Sequence, residues 1–247
     1  MTRVAIIAAM AGELKPLVRG WRHERRNGVH LWRWRFDGGE WIAACAGAGV
    51  EAAARAFAEV ERAFAEAEKP GPVSFVISTG WAGALSEEFK LGRTYFVSGV
   101  IDARSGERFR PAIWQEELWL VTSPRVAGAA EKQRLAAAYG AGLVDMEAAG
   151  VARLAQMRGI PFYCVKGISD GYRDQLPDFN RFISANGKFS LIRFILFALL
   201  RPWRWLALAR MGENSRVAAE AIKEAILDFL DERAYIRKRN GYPDRKR

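Results

Sequence analysis

Cysteine and histidine are scarce in this 247-residue chain: two cysteines, Cys45 and Cys164, and two histidines, His23 and His30. Two cysteines cannot build a framework of disulfides. Both sit in apolar runs and read as buried thiols of a reducing compartment. They also fall short of the four ligands that a structural zinc site takes. With so few histidines, a Ser-His-Asp or histidine-rich metal mechanism is short of parts. Long apolar runs are missing too. Val4–Ala9 is too short for a secretory core and is followed by no cleavage site, so it reads as a buried strand. The segment from Phe189 to Leu200 is interrupted by Arg193 and is too short to span a bilayer. No repeat or low-complexity tract is present.

What remains is a composition fit to fold. Half of the residues are hydrophobic, 12% are aromatic and 27% are charged, which excludes a disordered chain, a collagen and a disulfide miniprotein. The formal net charge is +10. Such an excess suits nucleic acid, an anionic membrane surface or an acidic ligand. It gathers at Arg19–Arg26, along 188–210 among tryptophans, and in a tail rich in Lys and Arg over 233–247. The tail reads as a solvated extension of a domain spanning 1–232. It and the net charge are the whole support for nucleic acid, which is the least favoured partner.

Along the chain, buried strands alternate with helices. Strands are expected at Val4–Ala9, Trp41–Ala46, Val73–Ile77, Thr94–Ile101, Leu118–Val121, Leu143–Val144 and Phe162–Val165. Asn27-Gly28 marks a hairpin within Trp21–Phe36. Helices are expected at Ala11–Val18, Glu51–Glu68, Ala129–Tyr139, Glu147–Arg158, 188–208 and Ser215–Asp231. This order argues for an α/β fold, a three-layer α/β/α sandwich around a mixed, mostly parallel sheet. Ligands of such sheets sit at the carboxyl ends of strands. That singles out Glu13, Gly47–Gly49, Thr79–Gly83, Glu147 and Asp170.

Each of these has a plain alternative. Gly47-x-Gly49 before a helix can approach an anion, yet it lacks the remainder of a dinucleotide fingerprint and suits a tight turn. Ser78–Leu85 is a small-residue loop after a strand, able to admit a ligand or simply to turn beside a packed Trp81. Asp145 suits a helix start. Glu147 fits that role less well, because Met146, Ala148 and Ala149 make its surroundings apolar. Asp170 closes a strand and could cap the next turn.

Taken together, these segments resemble a known family. Ile6–Glu13, Ala46–Ala53, the "TG-x-AG"-like Ser78–Leu85, and the "MEA…PF…ISD" block of Val144–Ala149, Pro161-Phe162 and Val165–Asp170 are similar to methylthioadenosine/S-adenosylhomocysteine nucleosidases. Order and spacing agree from Met1 to about Asp170, and the combination points to the purine nucleoside phosphorylase/nucleosidase superfamily. The resemblance implies cleavage of the N-ribosidic bond of a purine nucleoside, with a 5′-modified adenosine as substrate and adenine released. It implies that Glu13 activates the attacking water, that Glu147 beside Met146 grips the ribose hydroxyls, and that Asp170 beside Ser169 protonates the base at N7. Ala48, Gly80, Trp81, Ala82, Gly83, Val126 and Lys166 fall at its substrate-contacting positions. It implies no metal or organic cofactor, a cytoplasmic homodimer, and the apolar Ala54–Phe64 helix as a dimer surface. The chemistry is coherent: positive charge develops on the sugar and negative charge on the leaving base, so a carboxylate near the first and a proton for the second both help.

Three departures matter. Where phosphorylases of the superfamily carry an arginine and a hydroxyl residue for phosphate, this chain has Ser78 and Trp81, which favours water as the nucleophile. Lys166 replaces an arginine, and the two are not interchangeable. Ala48 replaces a larger apolar residue and leaves room at the 5′ end. The short stretch before Val144 and the Arg201-Pro202-Trp203 segment are similar to the hopanoid-associated branch, whose substrate is an adenosyl-lipid. For 189–206 two readings stand: a core or dimer helix pair with snorkelling arginines, or a peripheral contact with the inner face of a membrane. A phosphate-dependent phosphorylase and a non-catalytic binding protein remain as alternatives.

Overall fold

The computed structural model describes residues 1–36, 38–112, 117–174, 179–182, 184 and 205–239, with backbone alone for 179–180, 205–208 and 233–239. The segment 189–204, for which a helix and a membrane contact are expected, lies outside them, as does the end of the tail, 240–247.

The first strand, β1 (Thr2–Ala8), shows how the layers form. Ala5 and Ile7 join the cluster on one face of the sheet, and Val4, Ile6 and Ala8 join the cluster on the other. Alternate residues of a strand point to opposite faces, so an unbroken apolar run needs cover on both sides. One cover is α2 (Val50–Ala65) with α4 (Ala148–Met157); the other is α1 (Ala11–Leu14) with the long α5 (Trp205–Arg239). On α2, Ala53, Ala56, Phe57, Val60, Ala63 and Phe64 are all buried. At helical spacing they form one stripe laid on the sheet. That stripe is therefore covered within the chain, and within Ala54–Phe64 the side chains left at the surface are Ala54, Arg55, Ala58, Glu61 and Arg62. On the opposite face Ile222, Ile226 and Phe229 of α5 meet Phe75 and Tyr163. A Cβ at Gly167 would stand 2.9 Å from the Ala218 carbonyl oxygen, so a side chain there would push α5 off the sheet.

The remaining strands are β2 (Arg22–Arg26), β3 (Val29–Phe36), β4 (Gly39–Cys45), β5 (Phe75–Ser78), β6 (Trp81–Ala84), β7 (Thr94–Phe96), β8 (Gly99–Asp102), β9 (Arg108–Phe109), β10 (Trp119–Thr122), β11 (Leu143–Asp145) and β12 (Phe162–Asp170). Their order is β2-β3-β4-β1-β5-β12-β6-β11-β10-β8-β9, with β7 also on β12. β4, β1, β5 and β12 run parallel, as do β8, β10 and β11. β6 is parallel to β12 and antiparallel to β11, and so joins the two blocks. The mixed α/β/α sandwich expected from the sequence is present. α3 (Ala129–Tyr139) packs Leu135 against Val121 and Val144 in a third cluster.

Several boundaries moved, each for a physical reason. α1 stops at Leu14, since Pro16 has no N–H to carry it further. Ser78–Leu85 is not purely a loop: Trp81–Ala84 is β6. Thr94–Ile101 divides, because β7 pairs with β12 while β8 pairs with β10. β12 runs on through Lys166 to Asp170, since Lys166 is buried and paired and does not end the strand. The separate helices expected at 188–208 and Ser215–Asp231 give way, over the described residues, to the single α5, which crosses Gly212 without a break. No helix among the described residues is long and apolar enough to cross a membrane.

Candidate active site

The carboxyl ends of β1, β4, β5 and β12 fall on one edge, as a parallel block requires, and that of β11, from the other block, meets them there. They surround a cavity of about 570 Å³. Glu13, Ala48, Trp81, Ala82, Gly83, Val126, Met146, Glu147, Ser169 and Asp170 line it. These are ten of the twelve residues expected from the sequence. Gly80 and Lys166 are not in its wall; they lie behind it and hold residues that are.

Glu13 follows β1 on the short helix α1 and is 3% exposed. Its Oε2 accepts the Ala9 and Met10 backbone N–H groups at 2.8 and 2.7 Å, and its Oε1 accepts that of Trp81 at 2.8 Å. Burial raises its pKa, against the pull of those N–H groups and of Lys166. Gly80 has φ +119°, and a Cβ there would sit 2.7 Å from Glu13 Oε1. Only glycine takes that backbone conformation easily and leaves the carboxylate its place.

Glu147 stands at the start of α4 and is 7% exposed. Its Oε1 accepts the Gly49 N–H at 2.8 Å. Gly49 has φ +97°, so the turn after β4 is bent to aim that N–H across the cavity. Burial, and then the nearby charge of Asp145, push the Glu147 pKa up to about 8, with Lys166 opposing.

Beneath Glu147 lies a fully buried ion pair. Lys166 Nζ is 2.8 Å from Asp145 Oδ2 and donates to the Thr79 carbonyl at 3.0 Å. Asp145 also accepts from the Thr122 hydroxyl at 2.7 Å and from the Ala148 N–H at 2.9 Å. Burial works against the Lys166 ammonium, but Asp145, Cys164 and Glu147 outweigh it and hold its pKa above the usual lysine range. A buried charge survives when it is paired and hydrogen-bonded, and Lys166 and Asp145 are both. Asp145 is thus both the cap of α4 and the counter-ion of Lys166.

Asp170 ends β12 on the far side of the cavity. Ser169 donates its hydroxyl to Asp170 Oδ1 at 2.7 Å, and Lys132 donates to Oδ2. Trp81 spans the two layers: its ring covers Gly12, and its Nε1 donates to the Ser215 carbonyl of α5 at 2.9 Å. Among the described residues no three His, Cys, Asp or Glu side chains come together as a metal site.

Some of the wall was not legible in the sequence. Met211, Gly212, Ser215 and Arg216 come from α5, and Arg125 from the loop before α3. α5 lies some 200 residues beyond β1 in the chain, and no spacing links the two. Lys132 also went unnoticed, since a lone lysine on an alanine-rich helix looks solvated.

Carboxylates that follow or end strands of one sheet, gathered around one concave and largely apolar cavity, define an α/β enzyme site for a small ligand. The chain belongs to the phosphorylase superfamily, whose family profile matches residues 3–124 and 118–191. It is accordingly an enzyme of the N-ribosidic-bond-cleaving class, a nucleosidase or a nucleoside phosphorylase. No curated protein matches the chain significantly by sequence. Among solved structures it is similar to the 5′-methylthioadenosine/S-adenosyl homocysteine nucleosidase of Helicobacter pylori (TM-score 0.69, 16% identity, 94% of this chain and 98% of that one). It is similar to the futalosine hydrolase of Helicobacter pylori (TM-score 0.68, 16% identity, 94% and 98%). It is also similar to the 5′-methylthioadenosine nucleosidase of Arabidopsis thaliana (TM-score 0.67, 17% identity, 94% and 95%). At these identities the likeness is one of fold.

Proposed function

We propose that the protein hydrolyses the N-ribosidic bond of a 5′-modified adenosine and releases adenine. One observation carries the reading: Glu13, Glu147 and Asp170, far apart in sequence, line one cavity. In this reading Glu13 takes the proton of the attacking water. A carboxyl whose proton affinity is raised by burial is better matched to that task near neutral pH. Glu147 accepts the ribose hydroxyls, and the N–H of Gly49 fixes its orientation. Asp170 serves the leaving base.

Water is favoured over phosphate by the wall itself. At the turn where a phosphate would need donors, the wall is Trp81, Ala82 and Gly83 over the Glu13 carboxylate. A doubly charged oxyanion placed there meets a like charge. Of the cations in the wall, Arg216 is held by Glu213 at 2.6 Å and Arg125 lies 3.8 Å from Glu131. The small Ala48 together with Met10, Met211 and Gly212 leaves an apolar wall suited to an extended 5′ group, a lipid-linked one included.

The test is adenine release by chromatography from methylthioadenosine, adenosylhomocysteine, adenosine and a 5′-alkyl adenosine, each with and without phosphate. Glu147→Ala is run beside the wild type. Release without phosphate, lost in the variant, is the expected result. Release only with phosphate makes the protein a phosphorylase. No release from any substrate removes the reading.

A further inference from the structure

Lys132 sits on α3 and is fully buried. Burying an ammonium is costly unless the group is paired and hydrogen-bonded. Its partners are Asp170 Oδ2, on a residue that lines the cavity, and the Gly171 carbonyl oxygen at 2.6 Å. The Asp170 oxygens are thus both engaged by donors, Oδ1 by the Ser169 hydroxyl and Oδ2 by the lysine. The buried ammonium of Lys132 is therefore in direct hydrogen-bond contact with the carboxyl group that lines this end of the cavity. Gly83, which lines the cavity, keeps the pair open to it, since a Cβ there would lie 2.8 Å from Asp170 Oδ2 and 3.0 Å from Lys132 Cε.

We propose that Lys132 is the proton-holding residue behind Asp170, so that Asp170 relays to the leaving base a proton drawn from the Lys132 ammonium. The inference rests on the reading of the site as one that cleaves purine nucleosides. In the step, the C1′–N9 bond breaks and its electron pair goes to the base. Asp170 takes a proton from Lys132 Nζ and passes it to the base nitrogen. Water adds to C1′ and gives its proton to the Glu13 carboxylate. Lys132 is left neutral and Glu13 protonated, and exchange with solvent resets both. Lys132 contacts Asp170 and is not in the cavity wall, so it is a positioning and proton-supplying residue.

The experiment uses the full chain and two leaving groups. Adenine from methylthioadenosine needs a proton to leave. Nitrophenolate from 4-nitrophenyl β-ribofuranoside does not. Lys132→Met is expected to lower kcat for adenine about 100-fold or more, the usual reach of general acid catalysis, with KM little changed. The ratio of adenine to nitrophenolate release falls with it. Lys132→Arg keeps the charge but holds its proton, so it is expected to be slow on adenine as well. This second variant decides the matter if Lys132→Met does not fold. Equal losses on both leaving groups, or Lys132→Arg at the wild-type rate on adenine, overturn the proposal. An active wild type matched by Lys132→Met overturns this inference alone. A wild type that releases no purine overturns the functional reading and this inference with it.

Discussion

Glu147 makes the protein less stable in order to be where it is, and replacing it should show this. Its folded pKa is raised to about 8 by burial and by Asp145, whereas an unfolded glutamate titrates near its ordinary value of 4.5. Below pH 4.5 both states hold the proton and the residue costs nothing. As pH rises, the unfolded chain releases its proton first, so unfolding is favoured. The loss is ~1.4 kcal/mol per pH unit until the folded group ionises near pH 8. Over the span from pH 5 to pH 8 this amounts to about 4 kcal/mol, an order-of-magnitude figure. Glu147→Gln has no charge to bury, and its amide oxygen can still accept the Gly49 N–H that now lies 2.8 Å from Oε1. The variant should match the wild type near pH 5 and exceed it in stability progressively up to pH 8. Other buried acids titrate in both proteins, so the difference between them isolates this residue. Urea unfolding at a series of pH values measures it. A wild-type-to-variant difference that is flat from pH 5 to 8, or that favours the wild type as pH rises, would refute the reasoning. Activity should move the other way, because replacing a residue tuned for a site commonly stabilises the protein at the cost of function.

Three further outcomes follow from the same geometry. Gly80→Ala forces a Cβ to within 2.7 Å of Glu13 Oε1 at φ +119°. It should cost about 1–3 kcal/mol and much of the base-release rate, read by thermal melting and adenine assay. Lys166→Met leaves the Asp145 charge buried without its partner at 2.8 Å. The expected loss is about 3–5 kcal/mol in urea unfolding at pH 7, larger than that of Lys166→Arg. Phe57→Ala empties a fully buried site between α2 and the sheet. It should lower stability by about 3–5 kcal/mol while the KM for substrate stays near the wild-type value.

The sequence alone determined the alternation of strands and helices, because apolar runs of strand length and stripes of helical spacing follow from local geometry. It also determined which segments end strands, and thus that Glu13, Glu147 and Asp170 lie just at or beyond strand ends, the places to look for a site in such a sheet. It could not show that one apolar segment, Thr94–Ile101, serves two strands with different partners, since periodicity records a face and not a neighbour. Nor could it show that β12 passes through Lys166. A lysine in a strand reads as an end until Asp145, from another strand, supplies its counter-charge. Only the tertiary structure decided that the three acids face one cavity, that α5 closes its wall with Met211 and Ser215, and that Lys132 stands behind Asp170. These are meetings of residues far apart in the chain, made by packing, and packing leaves no local signature at either partner.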